Sequence, residues 1–342
     1  MRVDELDYEL PQDLIAQAPA EPRDTSRLLA LPRRDGAPRH LRFADLPDLL
    51  EPGDLLVLND SRVIPARLVG RKASGGRCEV LLVEPFDEPA GLWRVMGQAS
   101  KALRSGSRLD FHGLAAEVQA AEGDGFYSVR FDRGGAALEE ALERVGRVPL
   151  PPYIRREPVA SDGRDYQTVV ARAPGSVAAP TAGLHFTPAL LDRLERHGVR
   201  RALVTLHVGP GTFLPVRTER LEDHRMHPER FDVPVATAEA FAEARARRSR
   251  VVAVGTTVVR ALESAWAGGS LRPGPGRTEI FILPGFEFRA VDGLVTNFHL
   301  PRSTLLALVC AFAGAERVLA GYREAVAARY RFYSYGDAMA VL

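Results

Sequence analysis

Cysteine is scarce in this sequence. The chain has 342 residues and two cysteines, Cys78 and Cys310, each set among apolar neighbours. Two isolated thiols do not make a disulfide framework, and no paired C-x-x-C spacing suggests a structural zinc site. We therefore expect a protein of a reducing compartment.

The sequence also lacks a long hydrophobic run. Its longest apolar segment, residues 305–313, is too short for a helix that crosses a bilayer. The first ten residues, MRVDELDYEL, are acidic and do not contain the apolar segment of a signal peptide. We expect a cytoplasmic protein that makes no membrane contact.

Neither sign of charge is in excess, and lysine is nearly absent. The chain has 45 Lys plus Arg against 44 Asp plus Glu, a net charge of +1, and its lysines are Lys72 and Lys101. Without an overall field that attracts nucleic acid, a polyanionic partner must be held by a local patch. Arginine supplies nearly all the positive charge, and its planar guanidinium group suits phosphates and carboxylates.

What the sequence does contain is sufficient for two domains. Hydrophobic residues make up 46% and charged residues 26%, the balance of a soluble globular protein. Residues 67–149 hold short strand-like runs separated by glycines, which predicts a small β barrel or sandwich. Residues 1–66 and 150–342 alternate strand-like and helix-like segments, which predicts an α/β domain with a largely parallel sheet, closed or open. The all-β module at 67–149 is thus inserted into a discontinuous α/β domain.

Local signals also place individual elements. Thr237 is expected to cap a helix that runs to about Arg248. A helix that begins after Gly255 should end at Gly268-Gly269, and residues 278–283 have the composition of a strand.

Polar residues follow four of the predicted strands. They are Asn59-Asp60, His207, Gly255-Thr256-Thr257 and Asn297-Phe298-His299. In α/β sheets the ligand lies at the carboxyl ends of the strands. This convergence predicts an active site at that edge of the sheet.

The stretch 204–229 concentrates groups that can move protons. Residues 204–208 alternate like a strand, and a Gly-Pro-Gly sequence breaks it. The run EDHRMH follows, and if it is helical, His224 and His227 share a face. Together with His207 they are candidates for proton transfer, since imidazoles titrate near neutral pH. The alternative is a polar loop with scattered histidines.

Two other motifs have simpler explanations. In PTAGLHFT, residues 180–187, Thr187 suits a helix cap, although this leaves His185 unexplained. Thr256 and Thr257 could bind an anion at a helix N-terminus, with Arg260 one turn further on. The sequence has neither a G-x-G-x-x-G nor a Walker pattern that would indicate binding of a nucleotide phosphate. The alternative is that one of these threonines caps the helix.

Five histidines and one aspartate are possible ligands of a metal ion. No H-E-x-x-H and no paired C-x-x-C supports one, so no metal ligand is assigned and metal-assisted hydrolysis remains an alternative. The set considered is His185, His207, His224, His227, His299 and Asp223.

Longer segments resemble a known family over essentially the whole chain. They are NDSRVIPARL (59–68), DYQTV (165–169), APTAGLHFT (179–187), VTLHVGPGTFLPV (204–216), EDHRMHPE (222–229), VGTTVVRALES (254–264), LVTNFHLPRSTLL (294–306) and YRFYSYGDAM (330–339). The chain resembles the S-adenosylmethionine:tRNA ribosyltransferase-isomerases of the queuosine pathway. Members often have Asn-Asn-Thr where this chain has Asn59-Asp60-Ser61, a polar exchange.

The resemblance implies a fold and a reaction. The fold is a barrel-like α/β main domain with an inserted small all-β barrel domain. The enzyme transfers the ribosyl group of S-adenosylmethionine to 7-aminomethyl-7-deazaguanine at the wobble position of a tRNA anticodon. The ribose becomes the epoxycyclopentane of epoxyqueuosine, while adenine and methionine leave. The resemblance implies a monomer and neither a metal nor another cofactor.

The same resemblance suggests roles for residues. Catalytic roles fall to His207, His224, His227, Glu222 and Asp223. Asn59, Asp60 and Arg62 are expected to hold the modified base, and Thr256, Thr257, Asn297 and His299 the S-adenosylmethionine. Further substrate contacts are expected from Arg67, Tyr166, Thr181, His185, Thr212 and Arg260.

Two other classes of protein fit parts of the sequence. A non-catalytic tRNA-binding module would grip RNA without consuming S-adenosylmethionine. An ordinary S-adenosylmethionine methyltransferase would show a glycine-rich loop after its first strand, where this chain has Asn59-Asp60-Ser61-Arg62.

Overall fold

The structure is a computed structural model that describes residues 1–213, 216 and 218–342, except for the side chains of Thr212 and Phe213. Its strands are β1 Arg27–Leu31, β2 Arg39–Arg42, β3 Leu55–Asn59, β4 Ser61–Val63, β5 Arg67–Lys72, β6 Arg77–Asp87, β7 Leu92–Ala99, β8 Arg108–Asp110, β9 Ala115–Gly123, β10 Phe126–Phe131, β11 Ala173–Ser176, β12 Arg200–Leu206, β13 Glu229–Val233, β14 Val251–Val254, β15 Trp266–Ala267, β16 Ser270–Leu271, β17 Gly274–Thr278, β18 Gly293–Asn297 and β19 Ala338–Val341.

The helices lie mostly in the second half of the chain. They are α1 Gly135–Val145, α2 Asp162–Asp165, α3 Pro188–Arg196, α4 Val235–Ala246, α5 Thr256–Ala265, α6 Thr304–Ala313 and α7 Ala315–Ala327. Short 3-10 helices lie at Val3–Leu6, Gln12–Leu14, Arg23–Thr25, Phe43–Leu49, Thr181–His185, Pro210–Phe213 and Leu221–Asp223.

The large sheet is mixed and has parallel strands at its centre. Within the described residues it has nine strands, in the order β17-β13-β12-β3-β14-β18-β19-β1-β2. β12, β3, β14 and β18 are parallel neighbours. Every residue of β3 is buried, as expected for a parallel strand that is covered on both faces.

Side chains of β3 show how the two faces are filled. Leu55 and Val57 belong to a core shared with α5 and α6. Leu56 and Leu58, which point the other way, pack in a second core with the leucines of α3. The sheet is therefore the middle layer between helices, and its strand ends stay open for a site.

The inserted segment forms a closed antiparallel barrel in the order β10-β7-β6-β5-β8-β9. Its strands alternate buried and exposed residues, and the buried ones form a core of their own. Helix α1 packs on this core through Leu138, Ala141 and Leu142. An α/β fold with a small β barrel, predicted from the sequence, is confirmed.

Two local predictions are wrong, and one open alternative is decided. Helix α4 begins at Val235, and the Thr237 hydroxyl donates to the Leu203 carbonyl at 2.6 Å instead of capping the helix. The predicted strand at 278–283 lies earlier, at Gly274–Thr278, where a β-carbon on Gly276 would meet the Phe231 ring at 2.4 Å. The polar run 222–227 is helical only to Asp223, so His224 and His227 do not share a helical face.

The state of the cysteines and the length of the apolar helices were also predicted from the sequence. Cys78 and Cys310 are both free and buried. Among the described residues, no one helix has the length and apolarity needed to cross a membrane. α6 and α7 pass that test only as a pair, by length and composition, and they meet at a bend of 115°.

One carboxylate joins the starts of two central strands. Asp54 is 2% exposed, and it accepts hydrogen bonds from the Glu51 amide at 2.8 Å and the Arg250 Nη2 at 2.5 Å. Arg250 immediately precedes β14, whereas Asp54 immediately precedes β3. This pair therefore fixes where the two strands enter the sheet.

We expect Asp54→Ala to lower the free energy of unfolding by about 2–3 kcal/mol, because it removes the hydrogen-bond acceptor of a guanidinium group and of a turn amide. Urea unfolding followed by circular dichroism measures the change. Glu287→Ala, which removes an ion pair between exposed side chains, is the control and should have no measurable effect. Equal stability of the two variants would contradict this account.

Candidate functional site

Four parallel strands of the large sheet end side by side. Since β12, β3, β14 and β18 are neighbours, their carboxyl ends bring His207, Asn59, Gly255 and Asn297 to the same edge. This is the edge at which the sequence predicted a site.

A cavity of ≈ 700 Å³, measured to its open mouth, lies at this edge. We call it the main cavity. Its wall contains residues from the ends of β14 and β18, from the 180–182 segment and from the C-terminal aromatic segment. Six of the predicted substrate-binding residues line it: Tyr166, Thr181, Thr256, Thr257, Asn297 and His299.

In this wall, one polar atom of Asn297 has no hydrogen-bond partner among the described residues. Its amide Nδ2 donates to the Tyr333 carbonyl at 3.0 Å and lies 3.1 Å from Nε2 of His185. Its Oδ1 is buried and has no hydrogen-bond partner among the described residues. Because a buried acceptor is costly when unpaired, this oxygen is suited to a donor group on a ligand.

His185 lies behind the cavity wall. It is 4% exposed, stacks on Phe43 with 4.8 Å between ring centroids, and has Nδ1 2.7 Å from the Ser26 hydroxyl. Burial lowers its pKa to about 4, so the ring is neutral near pH 7. Since its Nε2 accepts from Asn297, the proton sits on Nδ1, and the histidine orients Asn297.

His299 is held in place at three atoms. Its Nε2 lies 2.8 Å from the Thr296 hydroxyl, its amide donates to the Tyr322 hydroxyl, and its carbonyl accepts from Tyr8. Burial lowers its pKa to about 3, so it too is neutral near pH 7. It gives the cavity a neutral hydrogen-bonding group.

Helix α5 starts directly at the cavity. Gly255 precedes it with φ of 94°, a left-handed conformation that glycine adopts without strain, and Thr256 and Thr257 form its first turn. Both threonines line the cavity, so the free amides of this first turn lie beside them.

Asn59 and Asp60 are occupied by the protein itself. The Asn59 Oδ1 accepts from the Leu206 amide at 3.1 Å, and its Nδ2 donates to the Leu206 carbonyl at 2.9 Å. Asp60 is fully buried, accepts from the Thr205 hydroxyl at 2.6 Å and pairs with Arg172. Both side chains hold the end of β12, immediately before His207.

His207 is mostly buried against β11. Its pKa is lowered to about 4, mainly by burial and also by the nearby Arg230, while Asp60 opposes both. Its Nδ1 is buried without a hydrogen-bond partner among the described residues. A β-carbon on Gly175 would lie 3.1 Å from this nitrogen, so glycine is what allows the ring to pack there.

The other predicted catalytic residues lie on the connection between β12 and β13, and none of them lines the main cavity. His224 is half-buried against Phe281, and burial, with His227 nearby, lowers its pKa. His227 is exposed and contacts Phe126 of the barrel. Glu222 and Asp223 are exposed, and the Met1 amino group lowers the pKa of Glu222 by pairing with it.

Three predicted substrate-binding arginines have carboxylate partners. Arg67 binds Glu79 through two nitrogens, at 2.7 and 3.2 Å, within the barrel. Arg260 is buried and pairs with Glu229. Arg62, 3.5 Å from Glu143, is half-exposed and lines a different cavity. Thr212 lies in the Pro210–Phe213 3-10 helix, but its side chain is outside the described part of the structure.

Sequence reasoning missed two groups of residues. Tyr153, Tyr333 and Ser334 line the main cavity, although they were not among the predicted site residues. Glu229 is 7% exposed and accepts the Gly209 amide at 3.0 Å, so it holds the turn that follows His207. Local sequence carries no signal for these long-range contacts.

The described residues contain no group of three or more His, Cys, Asp or Glu side chains arranged to hold a metal ion. Of the histidines named with such a site, His185 and His299 contact hydroxyl groups, and His224 and His227 contact aromatic rings.

Comparison with known proteins gives matches over the full length. The family described as "Queuosine biosynthesis protein" matches residues 3–341. The S-adenosylmethionine:tRNA ribosyltransferase-isomerase of Anaeromyxobacter dehalogenans (strain 2CP-C) is 65% identical over 343 residues, covering 100% of this chain and 99% of that protein. The protein of the same name from Pelobacter propionicus is 53% identical, with 99% of each covered.

A solved structure also matches over the full length of the chain. The crystal structure of S-adenosylmethionine tRNA ribosyltransferase from Thermotoga maritima is 40% identical, with a TM-score of 0.57 over 99% of this chain and 100% of that one. From these full-length matches we conclude that the chain belongs to the family of queuosine biosynthesis proteins.

Proposed function

We propose that this protein transfers and isomerises the ribosyl group of S-adenosylmethionine onto 7-aminomethyl-7-deazaguanine in a tRNA anticodon. The observation that carries the proposal is identity of 65% over the whole chain with a relative named for this activity. The site supports it with a cavity at the strand ends that has unpaired polar groups and a histidine beside it.

The reaction needs three proton-handling steps. A base removes a proton from the carbon beside the sulfonium, whose positive charge makes that proton more acidic. An acid meets the departing adenine, and the aminomethyl nitrogen has to be neutral when it attacks. Groups that titrate close to neutral pH serve such steps best.

In this proposal the main cavity holds S-adenosylmethionine. The free Oδ1 of Asn297 accepts from the adenine amino group, while the first turn of α5 and the Thr256 and Thr257 hydroxyls contact polar groups of the ligand. Tyr153 and Tyr333, whose ring centroids are 4.6 Å apart, offer an aromatic wall to the adenine.

The histidines divide between two tasks. His185 and His299 are neutral because burial lowers their pKa values, so they accept or donate hydrogen bonds without changing charge. His207, His224 and His227 are the groups that exchange protons. Glu222 or Asp223 orients an imidazole or faces the sulfonium.

Further parts of the proposal concern the conditions of the reaction. The chain works as a monomer in the cytoplasm, where tRNA is available, and needs no metal or other cofactor. S-adenosylmethionine is a substrate that is consumed.

The first test uses purified protein, S-adenosylmethionine and an anticodon stem-loop that carries 7-aminomethyl-7-deazaguanine. We expect release of both adenine and methionine that depends on the RNA and is unchanged by a chelator. Release of S-adenosylhomocysteine would instead show a methyltransferase, and RNA binding without turnover would show a binding module. Chromatography of the released products separates these outcomes.

Single variants test the histidines. We expect His207→Ala and His224→Ala each to abolish measurable turnover in the adenine-release assay, with little change in circular dichroism, because each removes an imidazole beside the reacting groups. His197→Ala is the control, since His197 contacts the Leu50 carbonyl at the opposite end of the strands. Full activity in both site variants would refute the assignment.

The pH dependence distinguishes the proton acceptor. A lowered pKa means that the imidazole loses its proton at a lower pH, so the neutral base is present above that pKa and kcat/KM falls as pH drops through it. If His224 is the proton acceptor, the acidic limb should have its midpoint below the ordinary histidine pKa of 6.5. A midpoint near 4, the pKa to which His207 is lowered, would assign the base to His207.

A further inference from the structure

A second cavity lies where the barrel meets the large sheet. It has a volume of ≈ 460 Å³ and is bounded by the 62–65 segment, Trp93 of β7, helix α1 and the Pro174-Gly175 segment of β11. We call it the junction cavity.

The inner wall of the junction cavity is apolar apart from one donor. Ile64, Leu138 and Leu142 are buried in the barrel core beside Trp93, which is 5% exposed. The indole N–H of Trp93 has no hydrogen-bond partner among the described residues. An aromatic base could pack on this wall, and a hydrogen-bond acceptor on it could pair with the indole.

The rim of the junction cavity is acidic. Glu88, Glu139 and Glu143 line it and are exposed, whereas Arg62 is its one cation among the described residues and lies 3.5 Å from Glu143. Three carboxylates against one guanidinium leave an excess of negative charge. Such a rim repels phosphate and attracts a ligand with an ammonium group or several N–H donors.

His207 links the junction cavity to the main cavity. Its ring packs on Gly175, which lines the junction cavity, while the next residue, Val208, lines the main cavity. The predicted contacts for S-adenosylmethionine are in the main cavity. Of the three residues predicted to hold the modified base, Asn59 and Asp60 bind the protein itself, and Arg62 lies at the junction cavity.

We propose that the junction cavity binds the acceptor base of the RNA, a 7-deazaguanine with an aminomethyl group. The base lies on the wall formed by Trp93 and the α1 leucines. Its N–H donors and its ammonium group face Glu139 and the neighbouring carboxylates, and an acceptor on the base takes the indole N–H. The inference rests on the proposed function and adds the place and the recognition of the base.

Charge reversal on helix α1 provides the test. Glu139→Arg should raise KM for the modified stem-loop roughly tenfold and Glu139→Gln roughly threefold, since each weakens a charge-assisted contact to the base. KM for S-adenosylmethionine should stay within about twofold, because that ligand lies elsewhere. Glu140→Arg is the matched control: Glu140 is exposed on the same helix but does not line the cavity.

With this control, the direction of the change in KM for the stem-loop distinguishes binding in the cavity from general binding of phosphate. An arginine added near RNA strengthens general phosphate binding, so Glu140→Arg should leave KM for the stem-loop unchanged or lower it. A rise confined to Glu139→Arg therefore reports on the cavity. Equal KM values in the two variants, with wild-type protein active, would overturn the cavity proposal and leave the proposed function intact.

A binding measurement separates the two proposals. The chain has two tryptophans, so Trp266→Phe leaves Trp93 as the single emitter. Free 7-aminomethyl-7-deazaguanine should quench Trp93 saturably, and adding Glu139→Arg should weaken this binding roughly tenfold. Saturable quenching by a protein that releases no adenine would support the cavity and refute the function; no quenching would refute the cavity.

Discussion

The carboxamide of Asn59 is the contact on which the candidate site depends. It binds both the amide and the carbonyl of Leu206, so a side chain at the end of β3 continues the pairing of β12 with its neighbour. Asp60 accepts a hydrogen bond from the Thr205 hydroxyl on the same strand. His207 follows directly, and its position between two cavities is therefore set by the parallel register of β3 and β12.

Burial decides what each histidine can do. Desolvation lowers the pKa of His224, and it lowers those of His185, His207 and His299 further from the ordinary value, to about 4, 4 and 3. Each contacts an amide, a hydroxyl or a glycine that leaves room for it. The protein thus combines fixed hydrogen-bonding imidazoles with more exposed ones that can change charge.

Much of the fold could be predicted from local patterns. The glycine-separated strands of the barrel and the helix that begins after Gly255 were both predicted, since each depends on residues close in sequence. Local sequence left a helix and a polar loop both open for residues 222–227. Only Leu221–Asp223 forms a helical turn, and His224 and His227 pack against distant rings, Phe281 and Phe126. Strand β17 was misplaced for a similar reason: pairing with β13 selected Gly274–Thr278.

The sequence by itself determined the elements, the presence of polar residues at four strand ends and a family resemblance that full-length matches confirm. Only the tertiary structure decided which of those polar groups stay available. Asn59 and Asp60 are engaged by the protein, whereas Asn297 keeps a buried oxygen with no hydrogen-bond partner among the described residues. The reason is physical: a buried polar group needs a partner, and that partner can lie more than a hundred residues away in the chain.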